Sequence, residues 1–367
     1  MHDGHGERSE VAGSEDRVRF AMKALVYHGP GRKAWEEKPR PVITRPTDAV
    51  VRIVTTTICG TDLHILKGDV PTVTDGRVLG HEGVGIVEEV GSAVMRVRAG
   101  DRVLISCISA DGTCDLCRRG MSSHCTNGGW VLGNTIDGTQ AEYVRIPFAD
   151  TSLYPAPSHV EDAALVMLSD ILPTAFECGV LNGQVGPGDT IAIVGAGPIG
   201  LAALLTARFY SPSDIIVIDL DDNRLETAKY LGATRTVDSG REDAGRRVME
   251  LTGGRGVDVA VEAVGVPATF DICQSVVAAG GHIASIGVFG MSVELHLERL
   301  WSQNITLTTR LVDTVTTPML LKMLAAGALD PTPLVTHRFR LDDIMRAYDT
   351  FANAAEEKAL KVILAGA

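Results

Sequence analysis

The 367-residue chain has no excess of positive charge, no low-complexity tract and no unbroken apolar run of membrane-spanning length. Each absence removes a class of function. Acidic residues outnumber basic ones 46 to 34, for a formal net charge of −12. A surface that neutralises nucleic-acid phosphates needs the opposite sign, so no nucleic-acid partner is expected. At 45% hydrophobic and 22% charged, the composition is that of a folded chain long enough for two domains with their own cores. The most apolar stretch, "TIAIVGAGPIGLAALLTARF" from Thr190 to Phe209, holds three glycines and a proline near its middle. That pattern reads as buried strand, turn and buried helix, and no membrane association is expected.

Apolar character is scarce at the start too: Met1 to Phe20 is polar and charged, so no signal peptide is expected. With seven cysteines and that expectation, a reducing cytoplasm is the expected compartment. Clustered cysteines then read as metal ligands rather than disulfides. Residues 1–21 read as a disordered extension, with His2 and His5 as spectators, and the strand pattern "MKALVYHG" opens at Met22.

From Met22 to about Pro155, short alternating runs such as "DAVVRIVTTTICG", "GVGIVEEVGSAV" and "QAEYVRIP" are broken by Gly and Pro, which predicts a β-rich domain with long loops. From about Leu172 the rhythm changes to strand–helix alternation. "TIAIVG", "DIIVID", "TRTVD", "VDVAVEAVG", "GHIASIG" and "ITLTTR" are separated by helical patterns at Ile199–Phe209, Asp222–Leu231, Arg241–Leu251 and Pro267–Ala278. This predicts an α/β chain whose second domain is doubly wound around six parallel strands. Helices at Thr317–Ala326 and Leu341–Asn353 follow, and the closing strand "LKVILAG" is expected to return to the first domain. The divisions are then 22–171, 172–310 and 311–367.

"VGAGPIG" places Gly195, Gly197 and Gly200 in the G-x-G-x-x-G spacing, after a strand and at the start of a helix containing Pro198 and Ile199. Gly195 permits the tight turn, Gly197 lets backbone approach a pyrophosphate, and Gly200 lets helix and strand pack closely. The free N–H groups and positive dipole end of the helix face the phosphates. Asp219 ends the next strand about twenty residues on, where a carboxylate accepts from a ribose diol and repels a 2′-phosphate. NAD is therefore expected over NADP. Arg224 is placed either to reach ribose and phosphates or as a solvated helix charge. Val264 and Gly265, and Gly287 and Val288, end later strands and are expected at the nicotinamide half.

"TTTICGTDLHILKG" contributes Cys59, Thr61, Asp62 and His64, and "LGHEGVGIVEEVG" contributes His81 and Glu82. Thiolate and imidazole are good zinc ligands, but two do not complete a catalytic site. Asp170, in the otherwise apolar "VMLSDILPTAFE", is a buried acid in need of a partner, and a metal would be one. Elsewhere, "SADGTCDLCRRGMSSHC" spaces Cys114, Cys117 and Cys125 like a zinc lobe with Asp111 upstream.

These motifs resemble the zinc-dependent medium-chain alcohol dehydrogenases. The likeness runs from about Met22 to the C-terminus, through C-G-T-D-x-H at Cys59–His64, G-H-E at Gly80–Glu82 and the nucleotide fold in the same order. "GGWVLGNTIDGTQAEYVRIP" and the Asp in "LSDILPT" carry a closer resemblance to the bacterial secondary alcohol dehydrogenases. The resemblance implies a GroES-like catalytic domain and a Rossmann domain. It implies catalytic zinc on Cys59, His81 and Asp170, with Glu82 able to approach the metal and Asp62 orienting the histidine. It further implies Thr61 and His64 as a proton path and Trp130 in the substrate pocket or the core. The reaction implied is hydride transfer between an alcohol, secondary by this likeness, and NAD, reversibly with the ketone or aldehyde. Polyol and threonine dehydrogenases share the ligand set. A non-catalytic protein or a zinc-independent quinone reductase would need none of it.

Two positions depart from the pattern. Gly60 stands where some relatives carry a basic residue facing the pyrophosphate. Asp111 stands where many carry the first of four cysteines at intervals of two, two and seven. The resemblance thus makes Asp111, Cys114, Cys117 and Cys125 a structural zinc lobe, with an empty or partly filled lobe as the alternative. Cys107, read as a buried core cysteine, and His124, beside Cys125, are the other candidates for its fourth ligand. A homo-oligomer, tetrameric over dimeric, is implied, with "GHIASIGVFGMSVELHL" as an interface segment.

Overall fold

The computed structural model describes residues 21–366; the expectations placed on Met1–Phe20, His2 and His5 included, lie outside them. Ala21, assigned above to the extension, is the first residue of strand β1 (Ala21–Tyr27), opposite Pro39. This strand lies between β2 (Lys33–Pro39) and the short β4 (Arg77–Val78). The larger sheet of the first domain centres on β3 (Ala49–Thr57) and β5 (Gly83–Val90), flanked by β6 (Arg102–Ile105), β7 (Tyr143–Ile146) and β8 (Leu153–Pro155). β15 (Val335–Arg340) and β16 (Lys361–Ala365) complete it, with β16 antiparallel to β3. The last strand thus lies beside the segment that leads to Cys59.

The sheet of the second domain is six parallel strands in the order β11-β10-β9-β12-β13-β14. They are β9 (Thr190–Val194), β10 (Asp214–Asp219), β11 (Arg235–Asp238), β12 (Val257–Glu262), β13 (Val277–Ser285) and β14 (Thr306–Thr309). All five residues of β9 are buried, as befits a central strand covered on both faces. The apolar stretch from Thr190 resolves into β9, a turn and a helix at Pro198–Ala207, and no single helix among the described residues is long and apolar enough to cross a membrane. Leu201 and Leu204 of that helix are fully buried, each contributing about 1.5–3 kcal/mol of transfer free energy.

Two of the helix boundaries that differ from the sequence pattern do so for clear local reasons. The helix expected from Arg241 begins at Ala244, because the Asp243 carboxylate caps it by accepting from the Arg246 N–H, while Arg241 donates to Asp238 in the preceding turn. The helix expected to run to Ala278 ends at Val276, where Val277 already pairs with Val257 as the start of β13.

Candidate active site

The first donor is placed by a helix cap. Cys59 precedes α1 (Gly60–Lys67), and its N–H donates to Asp62 Oδ2 at 2.8 Å, closing a capping box. The second donor follows Gly80, whose φ of +91° and whose absent side chain both matter: a Cβ there would lie 2.9 Å from the Gln140 backbone nitrogen. His81 and Glu82 are thereby pressed into the domain interior. The third, Asp170, precedes the short helix α2 (Ile171–Thr174), which continues as a wider π-type turn over Ala175–Leu181.

These three elements bring Cys59, His81, Glu82 and Asp170 together, with ligand atoms all within 4.8 Å of one another. His81 Nε2 lies 3.2 Å from Asp170 Oδ2, and Cys59 Sγ lies 3.9 Å from the same oxygen. Burial works against a charged imidazole, but Asp170 and Cys59 beside it outweigh burial and hold His81 well above its ordinary range. Asp170 is correspondingly held down at about 2: burial opposes its charge, and His81 and the Thr174 hydroxyl more than offset it. One sulfur, one imidazole and a carboxylate, with a second carboxylate adjacent, is the donor set of a zinc site that keeps a position open. The buried His81 Nδ1 and Asp62 Oδ1 each lack a hydrogen-bond partner. A metal-ligating histidine presents its other ring nitrogen to such an acceptor, so the residues fit the ion.

Three residues around the cluster carried no sequence signal. Glu82 accepts two hydrogen bonds from Lys361 Nζ, at 2.6 and 2.8 Å, and both side chains are 1% exposed. Burial disfavours the ammonium, but Glu82 and Cys59 outweigh it and raise the Lys361 pKa. Lys361 begins β16, 279 residues from Glu82, so only strand pairing could reveal it. Gln140 donates to Asp62 Oδ2 at 3.0 Å and accepts from the buried Tyr348 hydroxyl at 2.8 Å.

A cavity of about 780 Å³ opens onto the cluster. Thr61, His64, His81 and Asp170 line it, and so do Gly287 and Val288, which follow the end of β13. Thr61 Oγ1 is 3.7 Å from Cys59 Sγ, and His64 Nδ1 is 2.8 Å from Asp69 Oδ2. Trp130, read above as pocket or core, does both: it lines the cavity and packs edge-on to His81 with ring centroids 6.1 Å apart.

The glycine loop has the expected shape. Gly195 has φ +106°, and Gly197 caps α3 (Pro198–Ala207), with Ile199 in its first turn. A Cβ at Gly197 would meet nothing within 4 Å, whereas one at Gly200 would lie 1.8 Å from the Gly195 carbonyl oxygen. The first position faces open space, and the second closes the turn. Asp219 Oδ2 accepts from the Ala196 N–H at 2.6 Å, so the acid that ends β10 also fixes this loop. Arg224 lies 4.0 Å from the same carboxylate. The buried Glu262 accepts from the N–H groups of Val264 and Gly265 and from the Thr269 hydroxyl, holding that loop in place.

A second cluster lies in the loop after β6. Asp111, Cys114, Cys117 and Cys125 present ligand atoms within 4.8 Å of one another; Cys107 and His124 are not in the group. Asp111 accepts from the Thr113 and Cys114 N–H groups and from Asn127, which holds its carboxyl below the usual range. Cys114 caps a one-turn helix (Asp115–Arg118), and N–H groups of Cys117 and Thr126 lower its pKa to about 6. Burial and the neighbouring thiols push Cys117 up to about 12. Three sulfurs and an ionised carboxylate at this separation fit a closed tetrahedral zinc site.

Comparison with known proteins agrees with this geometry. Residues 45–158 match the family model of the alcohol dehydrogenase GroES-like domain, and residues 198–326 match that of zinc-binding dehydrogenases. The chain therefore belongs to the zinc-dependent medium-chain alcohol dehydrogenase family, enzymes of alcohol–carbonyl redox chemistry. It is 41% identical over 355 residues to an alcohol dehydrogenase of Cupriavidus necator, covering 90% of this chain and 95% of the relative. Among solved structures it is similar to zinc dependent alcohol dehydrogenase 2 from Streptococcus pneumonia, in its apo form, with TM-score 0.91, 54% identity, and 94% and 98% of the two chains covered. It is also similar to an alcohol dehydrogenase from Thermus sp. ATN1, with TM-score 0.87, 36% identity, and 94% and 100% covered.

Proposed function

We propose that this enzyme transfers hydride between a secondary alcohol and NAD, reversibly with the matching ketone or aldehyde. The observation that carries the reading is one cavity lined both by Thr61, His64, His81 and Asp170 and by Gly287 and Val288. The first group suits a polar reacting oxygen and the second a nicotinamide. Cys59, His81 and Asp170 would hold the catalytic zinc, with Glu82 withheld by Lys361. When bound, that ion supplies Lewis-acid polarisation of the substrate oxygen. Thr61 hydrogen-bonds the reacting oxygen, and His64, oriented by Asp69, carries the proton to solvent. Asp62, whose buried Oδ1 is unpartnered like His81 Nδ1, would orient the imidazole once the ion is held. Asp111, Cys114, Cys117 and Cys125 would hold a structural zinc.

The acidic end of β10 supports NAD over NADP. Asp219 stands at the ribose position and repels a 2′-phosphate, and its bond to Ala196 keeps it there. Arg224 is too near that acid to offer a free phosphate site. A homo-oligomer, a tetramer, is supported by the exposed edge strand β14 and the exposed Leu297 and Trp301 close to it. The cytoplasm remains the proposed compartment, on the free cysteines. The proposed divisions at 22–171, 172–310 and 311–367, with the first extended to Ala21, put β9 to β14 in the middle segment and return β15 and β16 to the larger sheet of the first domain.

Metal analysis with a panel of primary, secondary and aromatic alcohols, assayed with NAD and NADP, tests the reading. The expected result is zinc-dependent turnover with the highest specificity constant on a secondary alcohol and NAD. Asp219→Ala should shrink the NAD preference by about tenfold, the effect of losing one charged hydrogen-bonding contact. An unchanged ratio would remove Asp219 from the ribose, and a primary-alcohol optimum would overturn the secondary assignment.

A further inference from the structure

We infer that Glu177 is a positioning residue for hydride transfer: it fastens the cavity-lining segment 309–312 to the helix that begins at Asp170, and so fixes the nicotinamide side of the cavity relative to the metal donors. The inference rests on the dehydrogenase reading above and deepens it. Two uncommon backbone features meet at this one side chain. Glu177 lies in the π-type turn Ala175–Leu181 that continues α2, a widened helix of the kind found mostly at functional sites. Thr314, two residues beyond the cavity-lining segment, has φ +59°, a left-handed conformation that a β-branched side chain strongly disfavours. Such a residue persists only where its surroundings over-determine it. Glu177 supplies that grip. It is 2% exposed. Its Oε2 accepts from the N–H groups of Asp313 and Thr314, at 2.8 and 3.1 Å, and its Oε1 accepts from the N–H and hydroxyl of Thr316, at 2.9 and 2.8 Å. A glutamine of the same shape would accept at one oxygen only and present an NH2 group to the other two donors.

The segment that this clamp holds is part of the proposed reaction space. β14 runs parallel to β13 with Thr309 opposite Ser285, so residues 309–312 leave the sheet at the same edge as Gly287 and Val288. Both segments line the cavity, together with His81 and Asp170. Other bonds tie the turn to the first domain and the lobe. Arg310 donates to Asp313 Oδ2 at 2.7 Å, Ser123 donates its N–H and hydroxyl to Asp313 Oδ1 at 2.9 and 2.6 Å, and Thr314 Oγ1 lies 3.0 Å from Ser106 Oγ. The bonds to Glu177 are the ones that reach the helix of a metal donor, where Thr174 also donates to Asp170 Oδ1. Hydride transfer depends steeply on the spacing of its partners, and a displacement of about 1 Å can lower a rate by about a hundredfold. A carboxylate that joins one side of the reacting pair to the other is placed to keep that spacing.

The test titrates the metal-loaded wild type, Glu177→Gln and Glu177→Ala with NADH and with ADP-ribose, the fragment that lacks the nicotinamide, by calorimetry. Glu177→Gln should weaken NADH by about tenfold and ADP-ribose by no more than about twofold. Glu177→Ala, which loses all four bonds, should weaken NADH further. At saturating alcohol and NAD, kcat of Glu177→Gln should fall by about tenfold with the metal content per chain unchanged. A merely structural role would lower the melting temperature and the affinity for both ligands together. Thr314→Gly adopts the left-handed turn freely. Added to Glu177→Ala, it should return most of the lost melting temperature and none of the NADH affinity, which keeps the test valid if the single variant folds poorly. An equal change for the two ligands in Glu177→Gln, an unchanged kcat, or recovery of NADH affinity by Thr314→Gly overturns the proposal. A loaded wild type that turns over no alcohol with NAD or NADP overturns the dehydrogenase reading, and this inference falls with it.

Discussion

The described residues hold two four-donor clusters of the same compactness, built in opposite ways. The lobe draws Asp111, Cys114, Cys117 and Cys125 from one short loop, and three of the four are partly exposed. The cluster at the cavity draws Cys59, His81, Glu82 and Asp170 from three elements separated by up to 111 residues, with His81 and Glu82 buried. Local spacing is enough to assemble the first. The second exists only when a capping box, a glycine-turned loop and a helix start are brought together by the fold. It also carries a cost that the lobe avoids, because its extra carboxylate is buried and must be matched by Lys361. A site made by tertiary structure can keep one donor in reserve and one position open. A loop site is closed by its own spacing.

Three experiments bear on this contrast. The largest effect is expected at Lys361. Lys361→Met leaves Glu82 buried without a partner, and denaturant unfolding should show a loss of about 3–5 kcal/mol. Adding Glu82→Gln should return most of it. If the single variant unfolds like the wild type, the buried pair is not what distinguishes the two clusters. Next, Cys59→Ser should lower turnover by about a hundred- to a thousandfold. One metal equivalent should be lost while the melting temperature and the lobe metal remain. Near-normal activity would remove Cys59 from the ligand set. Smallest, Asp111→Ala should leave the cavity cluster loaded and cost about 2 kcal/mol of stability, as loss of a structural ligand does. Metal content per chain, read by mass spectrometry, should drop from two to one. A wild-type stoichiometry of one would make the lobe a set of free thiols.

Much of the fold was legible because its signals are periodic. The strand–helix alternation after Leu172 marks a parallel sheet, and the glycine spacing at Gly195, Gly197 and Gly200 marks its nucleotide turn. Boundaries slipped where a capping side chain or the start of pairing outcompeted the pattern, as at Asp243 and Val277. Within the site, Cys59 and His81 stood in recognisable motifs, and Asp170 was visible as an acid among apolar residues. Lys361, Gln140 and Tyr348 were not. Each is ordinary in its own strand, loop or helix, and acquires meaning only from what lies opposite. Of the two lobe candidates other than Asp111, neither joins the cluster: Cys107 is buried along the cavity, and His124 turns into that cavity while its neighbour Cys125 turns into the cluster.

By itself, then, the sequence determined which segments form strands and helices, where the backbone can approach a dinucleotide, and which loop gathers three sulfurs. All of these depend on residues a few positions apart, whose geometry the chain sets locally. The fold alone decided that β16 brings an ammonium to Glu82, that Asp170 meets His81, and that a lobe histidine faces the substrate cavity. Those contacts join residues with no covalent reason to meet, and only the packing of two sheets against one cavity places them there.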